Sequence, residues 1–216
     1  MLSHITTLYQ TGGPVLMLLV LVSVFTLALV IFKYWQFRSA GLGKVTAIER
    51  GLEALDAGQE SEARSGFQSS THWLSAILLS GMSLKGREGM HARMEAEAEQ
   101  ALRPYESGFR VLDTVAQLAP LLGLLGTVLG MIEAFQALQA GGTRVDPAAL
   151  AGGIWVALLT TAAGLGVAMP TSIALSWFEA QIDRERSFAE YAFSVLDMED
   201  APTPAAARLS AVQHGA

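Results

Sequence analysis

"APLLGLLGTVLGMIEAF", residues 119–135, decides how this chain is read. It is apolar enough to sit in a membrane, yet it holds three glycines, a proline and a threonine, all poor helix formers in water. In lipid the backbone has no solvent to bond, so a spanning segment stays helical and its glycines can serve packing. On a helix, Gly123, Gly126, Thr127 and Gly130 share one face. A second stretch, "GIWVALLTTAAGLGVAMP" at 153–170, repeats the pattern with Gly153, Ala157, Thr161, Gly164 and Ala168. Small residues at such spacing let helix backbones approach closely, since lipid supplies no hydrophobic drive for association. A tight helix pair is the minimal reading.

The rest of the chain fits an all-α integral membrane protein. Of its 216 residues, 51% are hydrophobic and 16% charged, well under the roughly 25% charged of soluble domains. Three uncharged stretches reach spanning length, about 28 Å for nineteen helical residues against a hydrocarbon core of ~30 Å. The expected order is an interfacial or periplasmic N-terminus at 1–13, a first transmembrane helix at 14–33 and a cytoplasmic helical region at 34–113. A second transmembrane helix at 114–135, a periplasmic connection at 136–152 and a third transmembrane helix at 153–178 follow. A cytoplasmic helical extension at 179–200 and a disordered tail at 201–216 complete it.

The first span lacks a basic segment before it and reads as an anchor rather than a cleavable signal. Residues 33–113 carry ten Lys and Arg, the chain after Glu179 carries three, and 133–152 carries only Arg144. The positive-inside rule then predicts N-out, C-in. Within the cytoplasmic region, apolar residues at 45, 48, 52 and 55 predict a helix stopping at Gly58, and 88–103 predicts another. The run at 72–84 is too short to span and reads as a buried helix. Pro104 and Gly108 are expected to interrupt the path into the second span, Pro120 to kink that span, and Pro147 to mark a turn.

Composition also excludes. A net charge of −6 without a basic stripe argues against nucleic acid. With no cysteine there is no disulfide, thiolate site or cysteine nucleophile. The four histidines, at 4, 72, 91 and 214, lack ligand spacing, so no metal is expected. No catalytic constellation or nucleotide motif implies an enzyme or a cofactor. No Lys, Arg, His, Asp or Glu sits near the centre of any span, so a moving proton would need a titrating group from another chain. Glu133 and Glu179 fall at span ends and read as interfacial. Thr127 and Thr161 lie at matching depth, about 10 Å inside the outer boundary. Each could bond its own helix, but the matched pair favours a polar pathway over that alternative.

These residues resemble the MotA/TolQ/ExbB proton-channel family. The stretches at 119–135 and 153–170 look like its second-span and third-span signatures, and "GGPV" at 12–15 is similar too. Three spans rather than four favour its ExbB/TolQ branch. The resemblance implies an inner-membrane motor in which a homopentamer encloses single-span ExbD/TolR-like partners. The partner's intramembrane aspartate would carry protons past the threonines matching Thr127 and Thr161, driving a TonB- or TolA-like protein. Familiar members carry a glutamate five residues before the second threonine, where this chain has Val156. A TolQ-like role in envelope integrity is the close alternative, and a passive membrane scaffold without an ion path is the rival from another class.

Overall fold

A computed structural model describes residues 2–140 and 147–198. Its elements are helices: α1 (Leu2–Ser39), α2 (Thr46–Asp56), α3 (Glu60–Ser69), α4 (Ser75–Ser83), α5 (Met90–Glu106), α6 (Phe109–Ala140) and α7 (Pro147–Met198). The expected tail at 201–216, the pair 199–200, and 141–146 with Arg144 lie outside the described residues. Parts of α1, α6 and α7 are long and apolar enough to cross a membrane.

The helices extend beyond the expected spans. α6 already starts at Phe109 and carries Pro120 in its interior, and α7 is one helix from Pro147 to Met198. Beyond Glu179 the sequence stays helical because its apolar residues keep the helical period, burying Ile182, Ala189, Phe193 and Leu196. Pro147 is therefore not a turn residue. It opens α7, where its fixed φ suits the first helical turn and its missing N–H removes no helix bond. Pro104 does not interrupt either, since α5 continues through it to Glu106. The break falls at Gly108, whose φ of 91° disfavours other residues.

α1 also breaks once. Gly13 has φ 63° and ψ −169°, outside the helical region, immediately before Pro14. Proline drives its predecessor away from helical geometry, and this conformation is essentially open to glycine alone. Nothing lies within 4 Å of where a Gly13 Cβ would stand, so the cost of adding one is purely conformational. Gly13→Ala is expected to destabilise the protein by about 1–3 kcal/mol, read as a lower melting temperature in detergent.

The chain divides into two compact units. The first holds the chain up to Lys33 together with Ser107–Phe178. Its large apolar side chains, among them Leu21, Phe25, Trp155 and Ile173, are exposed, as suits surfaces that meet lipid or other spans. Its interior holds a cluster of Ala119, Ala168 and Leu19 with Val115, Leu122 and Val167 packed against it, and Leu112 and Phe178 are buried too. Phe109 stacks on Phe178 with ring centroids 6.1 Å apart. The buried Lys33 sends its Nζ to Ser107 Oγ at 3.4 Å and over the Phe109 ring at 5.8 Å from the centroid. Its stem thus lies along apolar surface while the charged tip finds polar and π partners.

The second unit comprises Tyr34–Glu106 and the chain from Glu179 onward. Its core is conventional. Ile48, Leu52 and Leu55 of α2, Phe67 of α3, Ile77 and Leu78 of α4, and Met94 of α5 pack with Phe193 and Leu196 of α7. α2 and α3 cross where the Phe67 ring covers Gly51, leaving no room for a Cβ there. The run at 72–84 contributes α4, buried through Ile77, Leu78 and Met82.

One charged group lies inside this unit. Glu185 is 2% exposed, and its Oε1 accepts the Gly43 amide at 2.6 Å while Oε2 accepts the Trp73 indole N–H at 2.8 Å. His72 Nε2 stands 3.0 Å from the same Oε2. The other ring nitrogen, Nδ1, accepts the Leu74 amide at 3.3 Å, which places the proton of a neutral ring on Nε2, facing the carboxylate. A single carboxylate thus ties α7 to the turn after α1 and to the segment between α3 and α4.

Candidate functional site

In the first unit, α6 and α7 run antiparallel with their small residues in register. Cβ atoms added at Gly126 and Gly153 would come within 2.5 Å of Thr160 Oγ1 and Ala134 Cβ respectively. At Gly130 the Ala157 Cβ would be 3.2 Å away, and at Gly164 the Ala119 carbonyl oxygen would be 2.5 Å away. The seam is therefore Ala119, Gly123, Gly126, Gly130 and Ala134 on α6 against Gly153, Ala157, Thr160, Gly164 and Ala168 on α7. Such backbone-to-backbone contact is what the spacing of small residues predicts for helices in lipid. Gly164 is the tightest position, because the two nearest atoms, Ala119 O and Gly123 Cα, belong to backbone that no rotamer change can move. Gly164→Ala is expected to cost about 1–3 kcal/mol as overpacking, measured as a lower melting temperature of the detergent-solubilised protein. Unchanged melting would mean that the seam opens freely.

The hydroxyls sort by what they bond. Thr26 and Thr171 each donate to the carbonyl four residues back, at 2.7 Å. Thr127 donates to Leu124 O at 2.7 Å, within its own helix. Thr161 behaves differently, reaching across the seam to donate to Gly123 O at 3.2 Å. Thr160 donates to Ala157 O at 2.7 Å and also lies 3.5 Å from Gly123 O. The Gly123 carbonyl therefore faces two hydroxyls from α7, in a seam whose other members are glycine and alanine.

Thr127 and Thr161 come to nearly the same level, since Gly126 packs on Thr160; the offset is two residues' rise, about 3 Å. No hydrogen bond joins them in this chain: Thr127 turns to its own helix and Thr161 to the neighbour. Both are half-buried, so each keeps one side exposed. Thr160, 1% exposed, is the residue that the sequence reading missed. The spacing 153, 157, 160, 164 was available as its signal, but choosing between adjacent threonines requires the phase of the seam.

Toward the connection between α6 and α7 the seam opens into a cavity of about 320 Å³. Its lining includes Gly13, Gly126, Leu129, Glu133, Val156 and Thr160. Val156, where the resemblance implies a glutamate, thus shares this cavity with Glu133 of the facing helix. Among the described residues no group of His, Asp and Glu is placed to hold a metal ion.

Residues 68–190 match the MotA/TolQ/ExbB proton channel family. Among individual relatives, a biopolymer transport protein exbB1 of Vibrio cholerae is 38% identical over 94 residues, 44% of this chain and 41% of that protein. A putative ExbB-like 1 biopolymer transport protein of Synechocystis is 35% identical over 168 residues, 74% of this chain and 65% of that protein. The biopolymer transport protein ExbB of Neisseria meningitidis is 27% identical, over 81% of this chain and 86% of its own length. The chain thus spans between about two fifths and two thirds of the length of the first two.

Proposed function

Because the chain belongs to the MotA/TolQ/ExbB proton channel family, we propose that it is the channel and scaffold subunit of an inner-membrane motor that couples proton-motive force to transport at the outer membrane. The observation that carries this reading is the Gly123 carbonyl facing the Thr160 and Thr161 hydroxyls inside an otherwise bare Gly/Ala seam. A polar group held across a helix–helix contact is unnecessary for packing that glycines already achieve, and it supplies a step that a proton or its hydrating water can bond. The spans hold no titratable group near their centres, so a partner must bring one. A single-span ExbD/TolR-like chain with an intramembrane aspartate fits that need, and a homopentamer would enclose it.

The distribution of Lys and Arg supports an N-out, C-in arrangement, with 34–113 and the chain after 179 on the cytoplasmic side. The half-buried faces of Thr127 and Thr161 support a pore wall assembled between chains. Relatives named as biopolymer transport proteins favour the ExbB-type role, ending on a TonB-like partner, over a TolQ-type one in envelope integrity.

The test is reconstitution. The chain is purified with a single-span partner, placed in vesicles, and acid-driven proton entry is followed with an internal pH dye. Entry that disappears when the partner's aspartate becomes asparagine supports the reading. Vesicles that stay proton-tight with an intact complex leave a passive scaffold instead.

A further inference from the structure

The cavity at the outer end of the α6–α7 seam holds one carboxylate, Glu133, and reaches Thr160. Three features bear on what it does. It is large enough for several water molecules, each of which takes about 30 Å³ of liquid volume. Its walls at Gly13, Gly126 and Gly130 are backbone without side chains, while Glu133 and Thr160 supply polar groups for water. Thr160, which lines it, lies with its Oγ1 3.5 Å from Gly123 O, the carbonyl that Thr161 Oγ1 reaches at 3.2 Å. Glu133 is exposed on the cavity side of α6, on the same helix as Gly126 and Gly130.

We propose that this cavity is a hydrated vestibule and that Glu133 is the proton-collecting group at its mouth, feeding the Thr160–Gly123–Thr161 step. The inference rests on the proton-channel reading and adds an entry site to it. Glu133 takes a proton from outside water, passes it to cavity water, and returns to its carboxylate form, so nothing is consumed. A carboxylate in a confined cleft also concentrates protons locally, raising their capture rate. The seam needs such a group because hydroxyls conduct protons but do not hold a charge at neutral pH.

Two measurements on the full chain with its partner test this. In vesicles, Glu133→Gln is expected to lower proton entry roughly tenfold, the low end of charge-focused capture. Glu133→Asp retains most of it. Adding Val156→Glu, which sets a carboxylate on the facing wall, restores entry to the Glu133→Gln protein. Wild-type entry in Glu133→Gln, alongside loss in Thr161→Val, overturns the vestibule and leaves the channel intact. Undiminished entry in Thr161→Val overturns the hydroxyl step and the vestibule that feeds it, whereas no entry in the wild-type complex overturns the channel reading itself.

The second measurement does not need conduction. The chain has no cysteine, so single cysteines report cleanly. Val156→Cys is expected to react with a membrane-impermeant cationic thiol reagent added outside, whereas Leu158→Cys, on the exposed apolar face of α7, does not. An unreactive Val156→Cys means a dry cavity and ends the proposal even if Glu133→Gln fails to assemble.

Discussion

Replacing Thr161 by valine is expected to lower acid-driven proton entry by about two orders of magnitude, within the range attributed to a positioned proton-transfer group. The chain should still fold and assemble. Valine matches threonine in shape, so the seam loses one hydroxyl and no volume. The hydrogen bond removed runs between helices in lipid, where such bonds average about 0.6 kcal/mol. Gly123 O keeps Thr160 as a second neighbour at 3.5 Å. A small stability cost combined with a large loss of conduction is the signature of a pathway residue. Thr161→Ser, which keeps the hydroxyl, is expected to conduct. Size-exclusion elution of the complex and the vesicle assay measure the two quantities separately. An intact Thr161→Val complex that conducts at the wild-type rate would sink the role of this hydroxyl.

The largest structural effect is expected from Glu185→Ala, which leaves buried donors without their acceptor at about 1–3 kcal/mol for each. Two donors would lose their acceptor together, the Gly43 amide and the Trp73 indole, and His72 Nε2 would lose the carboxylate oxygen 3.0 Å away. Water cannot replace the carboxylate without opening the unit, because His72 and Glu185 are 4% and 2% exposed. Glu185→Gln keeps one acceptor oxygen but turns an amide donor toward a donor, so an intermediate loss of about 1–3 kcal/mol is expected. Hydrogen exchange at the α4 amides would register both changes. Protection equal to wild type in Glu185→Ala would show that the cluster ties nothing together.

The seam and this cluster differ in how much of each the sequence displays. The small residues of the seam recur every three or four positions within single helices, so a short window exposes Gly123, Gly126 and Gly130 as one face. Spacing alone leaves the rotation of that face uncertain by about one residue. Spacing therefore marks Thr161 and not its neighbour Thr160, although Thr160 packs on Gly126. The sequence places a boundary after 178, where the apolar run ends and a helical extension is expected, whereas α7 runs through it as one helix to Met198. Pro147 was misread because a proline opening a helix and a proline in a turn look alike without the following hydrogen bonds. The Glu185 cluster was not visible at all. Gly43, the pair His72 and Trp73, and Glu185 come from three separate segments, and no local pattern links a histidine that looked isolated to a carboxylate 113 positions on.

The bare seam also constrains how the protein can change. At Gly123, Gly126, Gly130 and Gly164 there is no side chain left to shrink, so every substitution is an enlargement. Drift at these positions runs in one direction and meets a wall unless the opposite helix yields first. Room can be made at few places. Thr160 can become glycine to admit a methyl at Gly126, since its Cβ obstructs as well as its Oγ1, and Ala157 can become glycine to relax Gly130. At Gly164 the obstacle is backbone, and no single exchange on α6 removes it. The order of mutations then matters as much as their identity: Gly126→Ala is a defect when it arises first and a tolerated variant once Thr160 has shortened. The same residue serves both the fit of the seam and its hydroxyl step, so that route to a larger residue at Gly126 trades conduction for fit, which narrows the histories open to the pair.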